Sequence, residues 1–225
     1  ATAAQLREAA AWLVDIHGAL IALHQVLQRA QITPKDHLIF LGDYADGWSQ
    51  TPQVLDFLIE YQQQHHCTFL RGNHDALCYD FLCGKTNDTM WYLHGGKATV
   101  KAYENISENT KEAHRNFLFA LEDYYLDDDN RLFLHAGFTN LRGVAYEYFT
   151  EMLYWDRTLW ETACSTTLAP AHPQYPTRLR LYKQIYIGHT PTTRLGSTHP
   201  LTFHNVTNVD TGAAFKGVIT IHGIW

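Results

Sequence analysis

The first two-thirds of the chain alternate short apolar runs with amphipathic segments. The apolar runs predict three buried strands, at Trp12–Val14, His37–Leu41 and Thr68–Leu70. Ala19–Arg29 carries leucines on one helical face, and a second helix is expected to begin at Thr51, as its cap, with Pro52 in its first turn. This β-α-β-α-β order predicts a parallel sheet with right-handed crossovers.

The later part of the chain is predicted to be rich in strands. Helices are expected at Asp75–Phe81 and Lys111–Leu121, and three prolines within Cys164–Arg178 predict a surface loop. The expected strands are Leu132–Leu134, Ile185–Ile187, Leu201–Phe203, Val206–Val209 and Val218–Ile221. We expect a single α/β domain over residues 1–225, in which the alanine-rich residues 1–10 are a tag remnant or an irregular segment.

Composition narrows the class of partner. With 225 residues, of which 46% are hydrophobic, the chain is globular, and its formal net charge of -6 gives no general attraction to nucleic acid or to an anionic membrane. The longest apolar run is far shorter than a bilayer requires. The four cysteines form no C-x-x-C pair, so we expect reduced thiols and a cytoplasmic location, and we have no expectation for the oligomeric state.

Polar clusters stand where the predicted strands end. The five clusters begin at Asp15, Gly42, Gly72, His135 and Gly188. A lone Asp or Asn after a strand is usually a turn or capping residue, but five such ends meet at one edge of an α/β sheet, where ligands bind. Imidazole, carboxylate and amide groups without thiolates suit Mn, Fe, Zn or Co, and six candidate ligands fit two metals that share a carboxylate.

These clusters resemble the calcineurin-like metallophosphoesterases, and most closely the bacterial form of the phosphoprotein phosphatase branch. D-x-H-G begins at Asp15, G-D-x-x-D at Gly42 and G-N-H-D at Gly72, and two later histidines complete the pattern. Pro191 stands where other branches carry a further histidine. Two weaker stretches, Trp91–Thr99 and Asn208–Gly212, are also similar. The resemblance implies a β-sandwich flanked by helices, with the active site at the carboxyl ends of the strands.

The resemblance implies two divalent metal ions, with Mn first and Fe, Zn or Co as alternatives. The implied ligands are Asp15 and His17 for one ion, Asn73, His135 and His189 for the other, and Asp43 as the bridge. His74 would be the general acid for the leaving oxygen, and Asp46 would orient it. Arg71 and Arg157 would contact the substrate phosphate.

The implied activity is hydrolysis of phosphomonoesters by direct attack of a hydroxide that bridges two metals. Phosphoserine and phosphothreonine in proteins are the first expected substrates. A small-molecule phosphatase or diadenosine tetraphosphate hydrolase is the alternative, and a non-catalytic binding protein is the third. Two departures bear on this choice: Val14 replaces a usual Gly and is expected to crowd the metal loop, and Gly47 replaces a usual phosphate-binding Arg.

Overall fold

The first sheet contains the three strands predicted at the start of the chain. The computed structural model describes residues 10–33, 35–85, 89–214, 219 and 221–224. The strands are β1 (Ala10–Leu13), β2 (His37–Phe40), β3 (His66–Phe69) and β9 (Ile221–Ile224), in the order β3-β2-β1-β9. Helices α1 (Leu20–Ala30) and α2 (Thr51–Tyr61) connect the parallel β1, β2 and β3, whereas β9 pairs antiparallel with β1. The predicted parallel β-α-β-α-β unit is confirmed.

The second sheet is mixed. Its strands are β4 (Tyr124–Leu126), β5 (Arg131–Leu134), β6 (Gln184–Ile187), β7 (Leu201–Phe203) and β8 (Val206–Asn208), in the order β4-β5-β6-β8-β7. The central β5, β6 and β8 are parallel, and the two edge strands are antiparallel to their neighbours. Strand β4 was not predicted, because its three residues lie at an edge and none of them is fully buried.

Alternating side chains of the two sheets form the layer between them. Trp12 of β1 contacts the rings of Phe133 and Tyr186, with centroids 5.3 and 4.2 Å apart, and Ile39 and Leu41 join the same cluster. The residues that alternate with these face the helices on the outer sides. Since both faces of each central strand are buried, the strands read as continuous apolar runs. The α/β sandwich that the resemblance implied is confirmed.

The remaining helices surround the two sheets. They are α3 (Asn73–Leu82), α4 (Thr89–Trp91), α5 (Lys97–Ala102), α6 (Glu108–Phe119), α7 (Met152–Trp155) and α8 (Thr158–Ser165). Helices α3 and α6 confirm the two predicted in this part of the chain, and both begin two or three residues earlier than expected. The predicted loop that begins at Cys164 starts inside α8 and ends in a 3-10 turn at Thr177–Arg180.

The expected cap of α2 is wrong. Gln50 occupies the capping position without a side-chain bond, and Thr51 is the first helical residue. The Thr51 hydroxyl instead accepts a hydrogen bond from the Asp46 amide at 3.1 Å, because the loop after β2 folds back onto the start of the helix. This threonine therefore supports the loop rather than the helix.

Two sequence expectations fall on parts of the chain that the structure does not describe. Residues 1–9, and residue 218 and residue 220 of the predicted strand Val218–Ile221, lie outside the described residues. Within the described ranges, every helix is too short or too polar to cross a lipid bilayer.

We predict that His37 makes the fold sensitive to mild acid. Its ring stacks on His66 with centroids 4.0 Å apart, and burial followed by the His66 charge lowers the pKa of His37 to about 4. The unfolded chain, with a histidine pKa of about 6.5, binds more protons, so stability is lost as the pH falls from about 6.5 to about 4. Urea unfolding midpoints of His37→Gln should fall less steeply over this window than those of the wild type.

The matched control is His199→Gln, which removes an exposed histidine that bonds only within its own loop in the described contacts. A slope in His37→Gln equal to that of the wild type would show that His37 does not carry this acid sensitivity.

Candidate metal centre

The six side chains predicted to bind metal lie together at the carboxyl ends of the strands. Asp15 and His17 follow β1, Asp43 follows β2, Asn73 begins α3 after β3, and His135 and His189 follow β5 and β6; all six are buried. Strands of both sheets therefore contribute to one cluster, and parallel neighbours direct their ends to the same edge.

Asp43 occupies the centre of the cluster. Its Oδ1 accepts a hydrogen bond from the backbone amide of His74 at 3.0 Å. Its Oδ2 lies 3.6 Å from His17 Nε2 and 3.4 Å from His135 Nε2. One carboxylate oxygen thus stands between histidines of the two predicted ligand groups, which is the position that a bridging ligand requires.

The amide oxygen of Asn73 lies close to a ring nitrogen of each of the two later histidines, His135 and His189. His135 Nδ1 lies 2.7 Å from the Leu41 carbonyl oxygen, so this nitrogen carries the proton, and Nε2 faces Asn73 Oδ1 at 3.1 Å. His189 Nδ1 lies 2.9 Å from the same amide oxygen. Burial, and after it the charge of His135, lowers the pKa of His189, so its imidazole is neutral and offers a lone pair on one ring nitrogen.

The residues present fit two divalent cations. Among the described residues, Asp15 Oδ1 and His189 Nε2 are buried and have no hydrogen-bond partner. Burial, followed by the charges of Asp210 and Asp43, raises the pKa of Asp15 well above its ordinary value, so this carboxylate needs a nearby cation to stay ionised. Two groups of ligand atoms, each within 4.8 Å, share Asp43: one with Asp15 and His135, the other with His17 and His74.

The loops of this site have a strained backbone. Five of the predicted site residues have positive φ angles of 47° to 71°: Asp15, His17, Asp43, Asp46 and His189. Residues with a Cβ rarely adopt this conformation, and each instance costs on the order of 1–3 kcal/mol. These residues stand in the turns that follow the strands. The strained backbone therefore accompanies the arrangement that brings their side chains together.

Asp75 holds the loops after β2 and β3 together, and sequence reasoning assigned it no role. Its buried carboxylate accepts hydrogen bonds from the amides of Asp43, Tyr44 and Gly72 at 2.7, 2.8 and 2.9 Å. A side chain at Gly72 would overlap with Asp43, so the two loops can approach only because this position is glycine. The acidic residue at the third position of α3, typical of a capping box, was the available signal.

Asp46 and His74 are in direct contact, and the orienting role of Asp46 stays a prediction. The fully buried carboxylate lies 2.7 Å from His74 Nδ1 and accepts a 2.6 Å hydrogen bond from Trp91 Nε1 and one from the Thr99 hydroxyl. Burial acts to lower the pKa of His74, but the Asp43 charge and the Asp46 hydrogen bond outweigh it and raise the pKa to about 9. With Nδ1 held by Asp46, Nε2 is the ring nitrogen left to meet a substrate.

The weaker sequence stretch Trp91–Thr99 has a physical explanation in this contact. Its first and last residues both donate to Asp46, and the chain kinks between α4 and α5 at Gly95, where φ is 109°. Gly95 lies directly against Gly47. The amide of Gly47 lies 3.4 Å from the carbonyl oxygen of Gly95, and a side chain at Gly95 would overlap with the backbone of Gly47. Gly47 itself has φ of 77°, so an arginine at this position would be strained.

The expected crowding by Val14 does not occur. Its side chain points into the layer between the sheets, where it joins the cluster around Trp12. A side chain at Gly188 would overlap with Val14, so the glycine after β6 provides the space that the valine needs. The substitution of Val for the usual Gly is therefore accommodated inside the core and leaves the metal loop uncrowded.

Arg71 is engaged with the end of α6. Its guanidinium donates hydrogen bonds to the carbonyl oxygens of Leu118 and Leu121 at 3.2 and 2.9 Å, and its Nε lies 3.3 Å from Asp123. Contact with a phosphate would require some of these bonds to be exchanged. Its phosphate-binding role stays a prediction.

Arg157 lies beside the metal-ligand cluster. Its Nη1 donates to the Thr190 hydroxyl at 2.9 Å, next to His189 in the chain. Burial and then the charge of Arg194 lower the pKa of Arg157, while the carboxylates of Asp210 and Asp43 act in the opposite direction. Its position agrees with the predicted phosphate contact, which the structure without a substrate leaves as a prediction.

Asp210 belongs to the site and was given no role from the sequence. It is buried just after β8, and its charge acts on both Asp15 and His17. Its Oδ1 accepts a hydrogen bond from the Gly212 amide at 2.8 Å. The weaker stretch Asn208–Gly212 is thus a sixth strand end followed by a polar side chain that could bind metal, which is the pattern of the other five.

Comparison with known proteins places this geometry in a family. The model of the calcineurin-like phosphoesterase family matches residues 13–211. The bis(5'-nucleosyl)-tetraphosphatase PrpE (asymmetrical) of Anoxybacillus flavithermus is 30% identical over 196 residues, which cover 81% of this chain and 73% of that protein. The protein of the same name from Geobacillus thermodenitrificans is 27% identical, over 80% of this chain and 72% of its own.

A solved structure shows the same fold. The cold-active protein-tyrosine phosphatase of a psychrophilic Shewanella species superposes with a TM-score of 0.62, over 95% of this chain and 75% of that one. The identity is 16%, so this likeness supports the fold alone.

We predict that Asp43→Asn weakens both metal sites together. The amide keeps the size of the side chain but removes the charge and one of the two oxygen ligands at the shared position. After gel filtration with Mn, elemental analysis should give about two ions per wild-type chain and fewer than one for the variant. Asp80→Asn, which changes an exposed carboxylate 3.3 Å from Lys85, should bind as the wild type does. Loss of one ion alone would contradict the bridging role.

Proposed function

The chain belongs to the calcineurin-like phosphoesterase family, and on this premise we propose that it is a dinuclear-metal hydrolase whose preferred substrates are dinucleoside tetraphosphates. The observation that carries the catalytic part is the position of Asp43 Oδ2 between His17 and His135. Its carboxylate lies in a buried cluster of lone pairs, directly beside the His74–Asp46 pair. Six side chains that can bind metal and one imidazole held by a carboxylate therefore lie together at the carboxyl ends of the strands.

Asp15, His17 and Asp43 would hold one cation, and Asn73, His135 and His189 would hold the other with Asp43. Bound divalent cations supply Lewis acidity and lower the pKa of a coordinated water towards neutrality. Mn is the ion that we propose first, because the ligands combine oxygen and imidazole donors without thiolate. A cytoplasmic location and reduced cysteines remain part of the proposal.

The protein side chains position the reactants of the hydrolysis. The oxygen of a water that has lost a proton to the solvent forms a bond to phosphorus as the bond from phosphorus to the leaving oxygen breaks, and protonated His74 gives its Nε2 proton to that leaving oxygen. Asp46 holds the opposite ring nitrogen and stabilises the charged imidazole. Arg157, fixed beside Thr190, would interact with the negative phosphoryl oxygens.

Two observations favour a dinucleotide over a phosphoprotein as the first substrate. The related proteins at 30% and 27% identity carry the name bis(5'-nucleosyl)-tetraphosphatase. In addition, Gly47 replaces the arginine expected of the phosphoprotein phosphatase branch, in a turn that disfavours any larger residue. The order of the two substrate classes expected from the sequence is therefore reversed in this proposal.

Phosphoserine and phosphothreonine remain the second candidate, because one feature of the site favours them. The alkoxide that leaves from serine is a strong base and needs a proton donor, and the buried His74–Asp46 pair is arranged as such a donor. A nucleotide phosphate is a much weaker base and depends less on that proton.

We predict that the Mn-loaded protein prefers diadenosine tetraphosphate to phosphoserine and phosphothreonine peptides. The expected preference in kcat/KM is at least about tenfold, which corresponds to about 1.4 kcal/mol in the transition state. Chromatography of the products gives the rate and shows which phosphate bridge is cleaved. A preparation that holds two ions and leaves all these substrates intact would refute catalysis and support a binding protein.

We further predict that His74→Asn separates the substrates by leaving group. Turnover of a phosphoserine peptide should fall by about 10²–10⁴-fold, since the alkoxide loses its proton donor. Turnover of p-nitrophenyl phosphate and of diadenosine tetraphosphate should fall less, because their leaving groups are weaker bases. Metal content must stay at the wild-type value, since His74 also lies in one of the candidate ligand groups. Equal losses on all three substrates would exclude the general-acid role.

A further inference from the structure

One short segment brings an indole and a guanidinium to the same edge of the metal-ligand cluster. Trp155 ends α7, and its ring centroid lies 6.2 Å from that of His189, with an angle of 85° between the ring planes. Two residues later, Arg157 donates to the Thr190 hydroxyl at 2.9 Å. His189 and Thr190 are consecutive residues of the turn after β6. They therefore contact an aromatic ring and a cationic group that come from one segment.

Hydrogen bonds and close packing hold the residue between these two side chains. Asp156 is buried and extended, and its carboxylate accepts hydrogen bonds from the Thr158 hydroxyl at 2.7 Å and from the Leu159 amide at 2.9 Å. A side chain at Gly137 would overlap with this carboxylate, so the segment packs tightly against the chain after β5. The backbone that carries the indole and the guanidinium is therefore held in place by these contacts.

Trp155 remains 43% exposed in spite of this fixed position. Because the two rings are nearly perpendicular, the imidazole of His189 covers at most one face of the indole. A fixed, accessible aromatic face beside an anion-binding centre is suited to a flat aromatic group attached to a phosphate. In a nucleotide, only one ribose separates the base from the first phosphate. The base could therefore contact the indole while the phosphate occupies the neighbouring anion-binding centre.

We propose that Trp155 is a specificity-determining residue on which the nucleobase of a bound nucleotide stacks, while Arg157 and the metal-ligand cluster hold its phosphate. The proposal rests on the proposed function and narrows it to substrates that carry a base next to the scissile phosphate chain. Arg157 Nη1 donates to the Thr190 hydroxyl at 2.9 Å, next to His189 in the chain, and this position supports its place in the same anion site. A phosphoserine peptide has no aromatic group at a fixed place near its phosphate and gains nothing from this indole.

The test compares two ligands that differ only in the base. Calorimetry of the Mn-loaded protein with AMP and with ribose 5-phosphate measures both dissociation constants without any need for turnover. Wild-type protein should bind AMP between about 5-fold and 150-fold more tightly than ribose 5-phosphate, the range expected for one base stacked on an aromatic side chain. In Trp155→Leu the two constants should become nearly equal, with the ribose 5-phosphate constant unchanged.

Two further variants separate stacking from a structural effect. Trp155→Phe keeps an aromatic face and should retain most of the preference for AMP, whereas Trp155→Leu keeps apolar bulk without it. Tyr148→Ala removes an aromatic side chain that is 84% exposed and packs on Phe149, and it should leave both constants unchanged.

The outcomes distinguish this inference from the proposed function. Equal affinities for AMP and ribose 5-phosphate in the wild type, or a parallel loss of both in Trp155→Leu, would overturn the stacking role. If the AMP preference depends on Trp155 but diadenosine tetraphosphate is not hydrolysed, the nucleotide site stands and the dinucleotide hydrolase fails. If the dinucleotide is hydrolysed without an AMP preference, the hydrolase stands and Trp155 is not its base-binding residue.

Discussion

The structure depends on the contact by which Asp75 holds the loop of Asp43. Asp43 stands in a buried space beside other carboxylates and between two imidazoles, and such a cluster of lone pairs is unfavourable unless a cation compensates it. Its position cannot relax, because the amides around it are bound by a neighbouring buried carboxylate. The left-handed backbone of the surrounding ligands shows that the fold tolerates local strain to keep these groups together.

A second chain of contacts holds the side chains of Asp46 and His74 in place. Trp91 and Thr99, from the segment that follows α3, donate to both oxygens of Asp46, and Asp46 in turn holds one nitrogen of His74. The imidazole is thus held through contacts with side chains that are not among the predicted metal ligands. The two halves of the site are joined where the His74 amide donates to Asp43, so ligand geometry and acid–base geometry are coupled through one hydrogen bond.

Much of this arrangement was readable in the sequence, because metal ligands must be polar while the strands before them must be apolar. The abrupt change from Leu13-Val14 to Asp15, or from Leu134 to His135, is visible without a structure. Strand β4 and the cap of α2 were not predicted correctly, because neither has a clear signal in the local sequence. The edge strand has weak apolar patterning, and the hydroxyl of Thr51 is claimed by a tertiary contact rather than by its own helix. The same reason applies to the guanidinium of Arg71, since only the packing of α6 shows what it bonds to.

The two sheets each supply part of the cluster, and this division has a consequence for how the protein acquires activity. Asp15, Asp43 and Asn73 follow strands of the first sheet, whereas His135 and His189 follow strands of the second. Neither half of the sandwich, formed alone during synthesis, presents a complete set of donors. A complete set of the predicted donors therefore exists only where the two sheets pack against each other, and a metal ion bound there would link the two sheets.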